Sequence, residues 1–147
     1  MGISIYCNKK QFHTSYKIWN QIKIYLGINC IKYLNELIEQ YSMNDLKEQV
    51  DFLLENIDST FFLNNYILFY EKNLHKINSF KLQGIYSFIK QSELNYNYDF
   101  YESNNFINSI NTIKHIMDSE TELSSYVDTI YDIHKYGIEN NATVYVC

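Results

Sequence analysis

The chain has 147 residues with 12 Lys, no Arg and 17 acids, giving a net charge of −5 and a pI near 5.3. That balance argues against nucleic-acid binding, which concentrates Lys and Arg in one patch at high pI. The missing Arg also removes the planar fork used for bidentate phosphate or carboxylate recognition. Apolar content of 46% and aromatic content of 17% exclude disorder, and the length fits one packed domain over residues 1–147.

In chain order, Ile3-Ser-Ile-Tyr-Cys7 is β-branched and alternating and reads as a strand. Asn8 to Gln11 is a polar turn, and Phe12-His-Thr14 can return as the second strand of a hairpin. Ser15 suits the N-cap of a long helical stretch towards Tyr41, with Trp19, Ile22 and Leu26 on one face followed by Ile31, Leu34, Ile38 and Tyr41. Gly27 is expected to divide or kink that stretch. Ser42 or Asn44 caps the next helix, where Leu46, Val50, Leu53, Leu54 and Ile57 form the clearest amphipathic stripe.

Residues 60–74 are so apolar that periodicity permits either a helix or a buried strand pair. A helix is expected over 79–92, and residues 94–102 read as an Asn- and Asp-punctuated connection. Ser103 then caps a helix carrying Phe106, Ile110, Ile113 and Met117. A last helix over about 120–136 buries Leu123, Val127 and Ile130, and Gly137 suits the left-handed residue that closes a helix. Ala142 to Cys147 reads as a strand. A lone strand leaves unpaired backbone groups, so residues 142–146 are expected beside residues 3–7. The fold class is α+β and mainly helical: an N-terminal strand or hairpin and a C-terminal strand form a small antiparallel sheet packed by five to seven helices on one side.

Signatures of common chemistry are missing. The four glycines are isolated, which excludes a phosphate-binding Gly-rich loop, and there is no Cys-x-x-Cys or His-Glu-x-x-His. No metal or cofactor is expected. Cys7, Cys30 and Cys147 are too widely spaced for a disulfide framework and suggest free thiols in a reducing compartment. No apolar stretch reaches the roughly 18 residues of a membrane helix, and no secretory signal is evident. The expected location is therefore cytoplasmic, within a cell or virion.

Two constellations carry functional expectations. His13-Thr14-Ser15 matches one half of the paired His-x-Ser/Thr motif of two-histidine phosphoesterases, where each imidazole exchanges a proton during attack on phosphate. A small histidine-dependent hydrolase would combine His13 and Ser15 with His134 or His115. The structural alternatives are a capping Ser15 and a His134 favoured by a helix C-terminus. Tyr96-Asn-Tyr98-Asp-Phe100-Tyr101 is the candidate binding segment, because rigid rings give contact area at low entropic cost. The alternative is that these rings cover the core.

The chain has 20 Ile, 18 Asn and 15 Tyr, no Pro, and a single Ala at 142, a codon bias that points to an AT-rich genome. Met1-Gly-Ile-Ser-Ile-Tyr6, Phe12-His-Thr-Ser-Tyr16, Trp19-Asn20 and Gly137-Ile-Glu-Asn-Asn141 resemble segments of small intracellular proteins of large DNA viruses of the mimivirus type. Proteins of that group often carry an Arg near the first helix, which this chain lacks, and the resemblance implies no activity. The expected function is a non-enzymatic protein–protein interaction module, a viral host-interaction or virion accessory protein that binds a protein partner or itself. The alternative is the histidine-dependent hydrolase or phosphoesterase.

Overall fold

The computed structural model describes residues 2–77, 80–91 and 95–147. Met1, Glu93, both ends of the expected 79–92 helix and the start of the expected 94–102 connection lie outside the described residues.

Two strands open the fold, β1 (Gly2–Cys7) and β2 (Lys10–Ser15), paired antiparallel from Gly2↔Ser15 to Cys7↔Lys10. The hairpin turns through Asn8, whose φ of 54° suits a residue with a short polar side chain. Ser15 ends the hairpin and caps the long helix α1 (Tyr16–Tyr41), its Oγ accepting the Ile18 N–H at 3.1 Å. Helices α2 (Asn44–Glu55), α3 (Phe62–Lys72), the single turn α4 (Leu74–Ile77) and α5 (Gln83–Lys90) follow. A short strand β3 (Tyr96–Tyr98) precedes α6 (Phe100–Ile113) and α7 (Glu122–Glu139), and β4 (Val144–Val146) is the last element.

The sheet has the antiparallel order β2-β1-β4-β3, and the expected closure is present: Ile5 lies opposite Val146 and Tyr6 opposite Tyr145. Period-two alternation sets its faces. Ile3, Ile5, Cys7, Tyr98, Val144 and Val146 are buried on the side where α7 packs. Ser4, Tyr6, His13, Asn97 and Tyr145 point the other way, with the Tyr6 and Tyr145 rings stacked at 5.4 Å. The architecture is α+β and mainly helical, with the helices gathered on one face.

Several local expectations need correction. Helix α1 runs unbroken through Gly27, where the missing side chain makes room for the Phe62 ring; a Cβ there would sit 3.0 Å from it. Ser42 is the left-handed C-cap of α1 (φ 54°), so α2 starts without a side-chain cap. Residues 62–72 are helix, which settles the ambiguity of that apolar run. Within the expected 94–102 connection lies strand β3, and α6 starts at Phe100 because Asp99, rather than Ser103, accepts the Glu102 N–H at 2.8 Å. Gly137 stays helical, and Asn141 (φ 48°) takes the left-handed position. At Gly137 a Cβ would lie 2.9 Å from Val144, so glycine there lets β4 return across α7.

Candidate functional site

The two histidines singled out from the sequence lie in different environments. His13 is on the outward face of edge strand β2, where its Nδ1 shares a 2.7 Å hydrogen bond with Ser4 Oγ. Ser15 is engaged as the α1 cap. His134 lies on α7 and is fully buried, its Nδ1 2.9 Å from Ser103 Oγ and its ring against Tyr98 and Phe106. Burial pushes its pKa down to about 3, so the imidazole is neutral. His115 sits beyond α6 beside Glu36 at 3.4 Å, and His75 is exposed on α4.

Among the described residues these histidines share no hydrogen-bond partner, and the facing pair that a two-histidine phosphoesterase requires is not formed there. Neither His13 nor His134 reaches Ser15. Two of the three thiols are equally unsuited to attack, Cys147 alone being exposed. Cys7 and Cys30 are buried, and desolvation raises the pKa of both, that of Cys30 to about 12. Among the described residues, no three His, Cys, Asp or Glu side chains are grouped so as to hold a metal ion. No helix of the described residues is long and apolar enough to cross a membrane.

The aromatic segment divides. Tyr98 is 1% exposed and belongs to the core, its hydroxyl donating to Gln91 Oε1 at 2.9 Å. Its place in a binding surface is therefore corrected: on β3 it points with Val144 to the buried side. Tyr96 is half-buried and donates to the Glu102 carboxylate, a bond that pushes its phenol up to about 12. Phe100 and Tyr101, in the first turn of α6, are 54% and 66% exposed.

A second exposed apolar surface lies elsewhere, in a groove of about 590 Å³ between α2 and α3. Leu53 and Phe69 are its buried lining, while Phe52 and Leu68 are 53% and 65% exposed. Helical spacing explains the placement. Leu46, Val50 and Leu53 turn towards the core, and Phe52 falls on the flank of that stripe. On α3, Phe62, Tyr66, Phe69 and Tyr70 take the inward positions and leave Leu68 outside. Sequence reading missed this surface because Phe52 and Leu68 sit in runs already rich in core residues. The one available signal was Phe52 falling off the Leu46–Val50–Leu53 stripe.

Polar groups frame the groove. Asp45 and Glu48 line it from α2, Asn65 and Lys72 from α3, and Gln49 Oε1 accepts from Asn73 Nδ2 at 2.8 Å. On the far side of Phe52 a second hollow is lined by Asn44, Lys47, Glu48, Asp51 and Glu55, so Phe52 stands as a ridge between the two. The groove thus sets exposed apolar side chains beside carboxylates, amides and a lysine.

No family model matches the chain, and comparison with curated proteins and with solved structures returns no match.

Proposed function

We propose that the chain is a non-enzymatic protein–protein interaction module that docks a protein partner on the α2–α3 groove. The observation that carries this reading is the exposure of Phe52 and Leu68 on opposite walls of one groove whose floor is apolar. Large side chains left in water beside one another cost solubility and give nothing to the free fold, whereas a partner that covers them gains their hydrophobic burial. The exposed pair Phe100–Tyr101 is a second aromatic surface, one that does not line this groove. The codon bias and the buried free thiols of Cys7 and Cys30 support an accessory role inside a cell, of the type a large DNA virus carries.

A photo-crosslinking residue at position 68 tests the reading in the native cells. The expected result is one discrete adduct that disappears when Phe52→Ser is added, with the thermal midpoint of Phe52→Ser unchanged within about 2 °C, as for an exposed side chain. No adduct, or an adduct indifferent to Phe52→Ser, contradicts the proposal. A large fall in midpoint would instead place Phe52 in the core.

A further inference from the structure

The charge pattern around Phe52 narrows the partner's chemistry; the inference rests on the groove being the docking surface. Along α2, Asp45 is paired with Lys76 at 2.5 Å and Asp51 with Lys47 at 3.3 Å, so these four charges cancel. Glu48 and Glu55 are exposed and, among the described residues, make no ion pair. They are seven residues apart, which on a helix is two turns, or about 10.5 Å along the axis, on nearly the same face. Phe52 lies between them, four residues after Glu48 and three before Glu55. The surface therefore presents carboxylate, aromatic ridge, carboxylate along one line, beside the apolar groove. Lys72 is the cation on the opposite wall, outnumbered by the two free carboxylates.

We infer that the occupant is a basic amphipathic helix: a segment with Lys or Arg seven residues apart and an apolar residue three or four positions after the first. Two basic side chains so spaced meet Glu48 and Glu55 in register, and the apolar side chain between them packs against Phe52 and Leu68. An apolar helix face laid into a helix–helix groove is a recurring recognition mode. The flanking charges set register and reject acidic helices more than they add affinity.

Two fluorescent helical peptides of roughly 18 residues, or five turns, with the same apolar face test this. One carries Lys at the two flanking positions and the other Glu. In anisotropy titrations the Lys peptide is expected to bind about tenfold more tightly than the Glu peptide, with an advantage that shrinks as salt screens the pairs. The double variant Glu48→Lys/Glu55→Lys is expected to reverse the preference. Equal binding, no binding of either peptide, or a preference that survives the charge reversal overturns the inference. A concentration-dependent dimer in sedimentation that Phe52→Ser abolishes also overturns it, because the occupant is then a second copy. If the peptides fail while the Phe52-dependent adduct at position 68 persists, the docking surface stands and only its basic-helix partner falls. Loss of that adduct dependence removes the docking surface itself.

Discussion

His134 combines complete burial with one satisfied nitrogen: Nδ1 faces Ser103, and Nε2 has no hydrogen-bond partner among the described residues. The Tyr98 and Phe106 rings at 4.8 and 4.6 Å leave no room for the hydration a charged imidazole needs. Its folded-state pKa of about 3 lies below the ordinary 6.5. As pH falls below that ordinary value, the unfolded chain takes up a proton that the folded chain refuses. Stability is therefore full above about pH 6.5 and is lost as pH falls towards 3, at about 1.4 kcal/mol per unit from this residue. Urea unfolding at pH 7 and pH 5 should differ by about 2 kcal/mol through this group. In the double variant Ser103→Ala/His134→Leu that dependence should flatten; an unchanged slope would show that the proton goes elsewhere. The sequence placed His134 in the final helical turn, but α7 runs on to Glu139 and the ring is buried. The helix dipole pointed to a partial positive charge at that position, and desolvation outweighs it.

Among the elements, α5 and α6 cross at close range. At Gly84 a Cβ would stand 2.2 Å from the Asn105 carbonyl oxygen and 2.4 Å from the Phe106 nitrogen, both backbone atoms. The same crossing supplies the start of α5 with a cap from another helix. Ser109 Oγ accepts the Gly84 N–H at 2.9 Å and donates to the Lys81 carbonyl at 2.8 Å. Gly84→Ala must push the helices apart and break that bridge, and is expected to cost about 3 kcal/mol in denaturant unfolding. A cost below about 0.5 kcal/mol would mean that the helices do not cross so closely. Helix existence was readable here from Leu82, Ile85, Phe88 and Ile89. The reason for Gly84 was not, because a close approach depends on a residue more than twenty positions away. Strand β3 escaped for a related reason: three residues gain strand character only from pairing with β4.

For the molecule as a whole, the sheet that joins β1 to β4 followed from the rule that a lone strand needs a partner, and the two strands meet as that rule requires. Which apolar residues remain outside that framework is a different matter. Phe52 and Leu68 have the same chemistry as their buried neighbours, and their positions off the buried stripes of α2 and α3 leave them in water. Tyr98 is the converse, a ring with the look of a surface aromatic that the sheet turns inwards. A composition this rich in Ile, Phe and Tyr thus makes the scaffold readable and hides which apolar residues stay exposed. Hydrogen–deuterium exchange on the chain with and without its crosslinked partner tests the central claim most directly. The account predicts slowed exchange concentrated in α2 and α3, residues 44–72. Protection centred on residues 96–101 or on the outer sheet face, with α2 and α3 unchanged, would contradict it.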